Sequence, residues 1–163
     1  MKYEQKQTFD QPPETVLRMF GDRRYFARKY ELLGFKSVEV LEHEIRGSRS
    51  RIRIRYAAGP SIPVPDFARK FIGDEVMVVQ VDSWDFERCA GRIDVESRGL
   101  PARVGADMKV AAHGNGGAVN TLSWDISCSI PLLGGKLEKL LVADIKAKAE
   151  ADLAASREIL LDY

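Results

Sequence analysis

The chain has 163 residues, 45% of them hydrophobic and 30% charged, with a formal net charge of +1. Such a chain can bury a substantial globular core, and its near-zero charge gives no global electrostatic case for nucleic acid or an anionic membrane. Its apolar runs fall far short of the ~20 residues that span a bilayer.

Residues 2–10 alternate through Tyr3, Gln5, Gln7 and Phe9 and predict a first strand. The same stretch lacks the apolar core of a signal peptide, which leads to the expectation of a cytoplasmic protein. Pro12-Pro13-Glu14 then starts a helix, with Pro at the first helical position and an acid in the first turn. Val16, Leu17 and Phe20 form its apolar stripe, and Gly21-Asp22 interrupts it. Asp22 caps a second segment reaching Leu33, with Tyr25, Phe26, the stem of Lys29, Tyr30 and Leu33 at helical spacing. Gly34 ends it.

Six further strands are predicted between Phe35 and Ser129. Residues 36–46 change phase between Val40 and Leu41, the signature of a bulge or bend. In 49–57, Arg49, Arg51, Arg53 and Arg55 alternate with Ser50, Ile52, Ile54 and Tyr56. The next strands are 75–85, 88–98, 103–112 and 118–128, the last two joined by the His113–Gly117 hairpin. Between the second and third of the six lies residues 58–73, where Pro60, Pro63 and Pro65 forbid ordinary strand pairing. Ile62, Val64, Phe67 and Phe71 make this segment too apolar for a free loop, so it is expected to fold back over something. From Gly134 to Tyr163 the sequence is rich in Leu, Ala, Lys and Glu and predicts one long helix.

Tight turns between successive strands imply an antiparallel sheet with neighbours paired in order. This β-α-α-β(six)-α order, with the strand-to-helix entry FDQPPETVLRMF from Phe9 to Phe20, resembles the START-like, or SRPBCC, superfamily and within it an uncharacterised bacterial branch. The resemblance spans residues 1–163 as a single START-like domain of the α+β class. It implies the helix-grip fold of the Bet v 1-like proteins: a seven-stranded curved antiparallel sheet gripping a long C-terminal helix, with two short helices after the first strand. It also implies a hydrophobic cavity between sheet and helix.

Two rotations of the long helix are open. In one, Leu137, Leu141, Asp144, Lys148 and Asp152 face the sheet and Lys139, Lys146 and Arg157 face water, so the acid-base-acid ladder gives the cavity a polar end. In the other, Leu141, Val142, Ile145, Leu153 and Leu160 are buried and the ladder is solvated. Tyr56, Trp84, Met108 and Trp124 point inward from their strands, as packed core, cavity wall or both. The expected ligand-binding set is therefore Tyr56, Trp84, Met108, Trp124, Leu137, Leu141, Asp144 and Lys148.

The leading expectation is binding of a hydrophobic small molecule, whether lipid, isoprenoid or polyketide-like. One alternative is a cyclase or dehydratase that uses Asp144 or Asp152 as acid or base. Another is an interaction module like the chaperone co-activators, working through an outer surface such as the arginine row. Against that last role, Glu39, Glu42 and Glu44 on the preceding strand can neutralise the arginines. Cys89 and Cys128 lack C-x-x-C spacing and are read as free thiols, with a disulfide possible only between adjacent strands. His43 and His113 are read as solvated, and neither histidines nor cysteines are spaced for a metal. No dinucleotide fingerprint, phosphate loop or nucleophile elbow occurs, so no cofactor is expected.

Overall fold

A computed structural model describes residues 1–163. Strand β1 (Lys2–Phe9) leads into helices α1 (Pro13–Phe20) and α2 (Arg23–Leu32). Then come β2 (Lys36–Arg46), β3 (Arg49–Ala58), β4 (Val76–Asp85), β5 (Ala90–Ser97), β6 (Ala102–His113), β7 (Gly117–Cys128) and the 27-residue helix α3 (Gly134–Leu160). All seven strands form one antiparallel sheet in the order β1-β7-β6-β5-β4-β3-β2. Every strand after β2 pairs with its predecessor, and β1 closes on β7. The expected helix-grip architecture is the one observed.

Local signals account for the breaks. Asp22 accepts a bond from the Arg24 amide at 3.0 Å and so separates α1 from α2 as an N-cap. Gly34 then turns the chain with a φ of +73°. The phase change in β2 is a pair of register shifts, between Lys36 and Glu39 and between Val40 and Glu42. The start of α3 is pressed against the end of β7, and a Cβ on Gly134 would lie 2.5 Å from the Cys128 carbonyl oxygen. One expectation fails in detail: Cys89 sits not in a strand but in the β4–β5 turn, with a φ of +51°. Cys89 and Cys128 are both free thiols.

Solid packing is concentrated at one end. Val16, Leu17, Met19 and Phe20 of α1 meet Tyr25, Phe26 and Tyr30 of α2, with Phe9 below and Ile159 and Leu160 of α3 above. Phe20 lies against Tyr25 and stacks on Trp84, with centroids 5.3 Å apart. Each such side chain stabilises the fold by roughly 1.5–3 kcal/mol through burial. Tyr25 and Ser156 share a buried hydrogen bond of 2.9 Å that fixes α2 against α3. Tyr163 donates to Asp22 at 2.6 Å, which ties the end of the chain to the α1–α2 corner.

On the outer face, Arg51 and Arg53 meet Glu42, and Arg55 meets Glu39. Arg49 differs from expectation by pairing forward with Asp85 on β4 rather than back to β2. The arginine row is thus largely neutralised by its neighbours.

Candidate functional site

Helix α3 is seated on the end of β7 at its start and on α1 and α2 at its end, and its middle stands off the sheet. Between them lies a cavity of about 370 Å³, with 27 of its 40 lining residues hydrophobic. Residues Leu140 to Asp152 of α3 border it, a stretch about 18 Å long at 1.5 Å per residue. Small side chains at Ala147, Ala149 and Ala151 leave the space unfilled. The sheet contributes Trp84, Met108, Leu122 and Trp124 from the inward phases of β4, β6 and β7. Trp124 keeps its indole N–H satisfied by donating to Gln5 at 3.2 Å.

The proline-rich segment forms one wall. It makes a turn of 3₁₀ helix at Asp66–Ala68, and Gly59 to Ile62, Val64, Phe71 and Ile72 border the cavity. Its apolar residues are therefore accounted for: the segment straps the space between α3 and β3–β4. Asp144 accepts from the Ser61 amide at 2.6 Å and also pairs with Lys148. Lys136 lies 5.6 Å from the Phe67 ring, a second link from α3 to the strap.

At the other limit of the cavity, where α2 crosses α3, the wall turns polar. Lys29, only 7% exposed, pairs with Asp152 at 3.2 Å. The rings of Tyr25, Phe26 and Tyr30 surround its ammonium at 5.1, 5.9 and 5.1 Å. Gln7 donates to Asp152 at 3.1 Å, and Asn120 donates to Gln7 at 3.2 Å. Across the cavity Tyr56 donates to Gln80 at 3.0 Å, and Gln80 donates to Asp82 at 2.6 Å.

Electrostatics in this pocket follow from burial. Desolvation pushes the Asp82 carboxyl up to about 6, against the opposing pull of Lys29 and the bond from Gln80. Burial also works against the Lys29 ammonium. The Asp152 carboxylate, with smaller contributions from neighbours including Asp82, outweighs that cost and holds its pKa well above the usual lysine value. Burial raises Tyr30 and Tyr56 as well, so both stay protonated as hydroxyls. At neutral pH this polar end holds the Asp82 and Asp152 carboxylates and the Lys29 ammonium. A buried pair of this kind adds little net stability, but removing one partner costs several kcal/mol.

All of the expected ligand-binding residues except Leu137 border the cavity: Tyr56, Trp84, Met108, Trp124, Leu141, Asp144 and Lys148. Leu137 is fully buried outside it. Lys139, Lys146 and Arg157 are exposed. The acid-base-acid ladder divides into two jobs, with Asp144 and Lys148 at the strap and Asp152 at the polar end. Neither carboxylate expected as acid or base is free of a cation. Sequence reasoning missed Lys29, Gln7, Gln80, Asp82 and Asn120. Their trace in the sequence is slight, a polar residue set in an otherwise inward-facing apolar phase, as with Asp82 before Trp84 and Asn120 before Leu122.

Residues 4–160 match the model of the family described as "Protein of unknown function (DUF2505)". The chain belongs to the DUF2505 family. Comparison with curated protein sequences returns no match. Among solved structures, this DUF2505 protein is similar to TTHA0849 from Thermus thermophilus, with a TM-score of 0.68 and 23% identity over 99% of this chain and 98% of that one. It is similar to the ZhuI aromatase/cyclase from Streptomyces sp. R1128, with a TM-score of 0.66 and 13% identity over 98% and 93% of the two chains. A START superfamily protein from Mycobacterium smegmatis superposes with a TM-score of 0.59 and 11% identity over 97% and 98%. These likenesses establish a START-like fold. No helix of the DUF2505 chain is long and apolar enough to cross a membrane.

Proposed function

We propose that this DUF2505 protein binds a hydrophobic small molecule in the cavity between its sheet and α3. One observation carries the reading: a space of about 370 Å³, mostly apolar, with one buried polar end. That volume falls within the ~300–1,000 Å³ of small-molecule sites, and a few convergent polar groups in an apolar wall are what such sites use to orient a ligand. The likeness to a START superfamily protein and to an aromatase/cyclase fixes only the fold, so the cavity supports the reading by itself. Tyr56, Trp84, Met108, Trp124, Leu141, Asp144 and Lys148 are the proposed contacts, and the strap is the proposed cover. A lipid, an isoprenoid or a polyketide-like ring compound of about 18 Å or less suits the space.

Titration with Nile red, an uncharged apolar fluorophore, tests this directly. The wild-type protein is expected to bind one equivalent with a blue-shifted emission. Ala151→Trp, which fills the cavity from α3, is expected to weaken binding at least tenfold while keeping the far-ultraviolet circular dichroism. A folded protein that binds no Nile red, or an Ala151→Trp variant that binds it undiminished, would overturn the reading.

A further inference from the structure

The hydrogen-bond chains at the polar end have a direction, and an ionised carboxylate sets it because it can only accept. Asp152 takes the Gln7 amide N–H, so the Gln7 carbonyl oxygen turns to Asn120 and must receive the Asn120 amide N–H. That leaves Asn120, a residue of the cavity lining and 1% exposed, with a buried Oδ1 oxygen that has no partner. The second chain runs alike. Asp82 takes the Gln80 amide N–H, Gln80 Oε1 takes the Tyr56 hydroxyl proton, and the spare capacity of Tyr56 is an oxygen lone pair. Both chains begin on a carboxylate and end in an acceptor oxygen of a residue that lines the cavity.

The Gln7, Gln80 and Asn120 amides each keep a second N–H, but no buried donor nitrogen there is wholly without a partner as the Asn120 Oδ1 oxygen is. Lys29 is engaged with Asp152 and enclosed by three aromatic rings. The Tyr30 hydroxyl, 2% exposed, lies beside the Tyr56 hydroxyl, can turn either way and favours neither sign. The remaining polar side chains on the wall, including Gln5, Ser97 and Lys148, are at least partly exposed. Two carboxylates against one ammonium also leave the buried end with an excess of negative charge.

We infer that the polar end selects an apolar ligand whose terminus donates hydrogen bonds, a hydroxyl or a protonated amine, and rejects one ending in a carboxylate or an ether. The inference rests on the reading of the cavity as a ligand site. A donor relieves the unpaired Asn120 oxygen, whose burial without a partner is costly. An ether places a second acceptor against it, and a carboxylate adds like charge.

Displacement of Nile red from the whole chain at pH 7.5 separates these outcomes, with dodecan-1-ol and 1-methoxydodecane below their solubility limits and dodecylamine and dodecanoate below their micellar concentrations. The alcohol and the amine are expected to displace the dye at concentrations at least tenfold lower than the ether and the carboxylate. In Asn120→Leu the alcohol-to-ether ratio is expected to fall at least threefold, with the ether displacing the dye at least as well as from wild type, which shows an intact cavity. Tyr56→Phe, which removes the end of the other chain, gives the same reading if Asn120→Leu does not fold. Nile red binding with equal affinity for all four ligands, with dodecanoate tightest, or with a ratio that neither variant moves, overturns the inference and leaves the cavity as a ligand site. A folded protein that binds no Nile red removes both.

Discussion

Asp82 lies on a strand otherwise suited to burial, between Gln80 and Trp84, and is only 6% exposed. Its folded-state pKa of about 6 exceeds the ordinary value of 3.8, so between those values the native state holds more protons than the unfolded chain. Stability therefore falls as pH rises through that window, and above pH 6 the ionised carboxylate imposes its full cost, on the order of 3 kcal/mol. Asp82→Asn keeps an oxygen to accept from Gln80 but carries no charge. It is expected to gain roughly 1–3 kcal/mol over wild type at pH 7.5 and little at pH 4. Urea denaturation at the two pH values checks this. An equal effect at both would mean that Asp82 is not the group whose ionisation destabilises the fold. What the carboxylate supplies against that cost is the direction of the Gln80–Tyr56 chain.

At the scale of elements, the strap shows how far sequence reading reaches. Three prolines together with Ile62, Val64, Phe67 and Phe71 were enough to predict a segment folded back on the body, because proline removes the donors a strand needs. The strands, the Asp22 break and the long helix were legible for the same reason: each depends on neighbours within a few residues. The aromatic cavity wall was legible too, since Trp84, Met108 and Trp124 sit on the inward phase of their own strands. The polar end was not. Lys29, Asp82, Asn120 and Asp152 come from α2, β4, β7 and α3, and one polar residue in an apolar phase carries no meaning until the fold brings the four together. What sequence could not supply for the strap was its fastening, the bond from the Ser61 amide to Asp144. Asp144→Ala removes both that acceptor and the partner of Lys148. It is expected to speed Nile red association and dissociation severalfold while lowering stability by about 1 kcal/mol, as befits a partly exposed pair. Stopped-flow fluorescence measures the rates, and unchanged rates would mean that the strap does not control entry.

Across the whole molecule, the same α3 serves two halves of different character. Its last turns, with Ile159 and Leu160, are packed into the aromatic cluster of α1 and α2 and held by Tyr25–Ser156 and Tyr163–Asp22. Its middle, from Leu140 to Asp152, faces open space on its inner side. Local opening is cheapest where the fewest apolar contacts are lost, so stability should be graded along this one helix. Native-state hydrogen exchange is expected to show amides of 153–160 protected close to the global unfolding limit and those of 140–151 exchanging at least tenfold faster. A ligand that fills the cavity supplies the missing contacts only to the middle stretch. Saturating Nile red should therefore slow exchange in 140–151 and in the strap much more than in 153–160, beyond the uniform shift expected from mass action on global unfolding. If the ligand instead slows all of α3 by one factor, or slows the α1–α2 end most, the molecule does not divide into a rigid anchor and a ligand-completed half. The graded result would mean that the hollow between α3 and the sheet lowers stability in the part of the fold that must open to admit a ligand. The anchored end would then keep the polar terminus of the site in place while the other half opens.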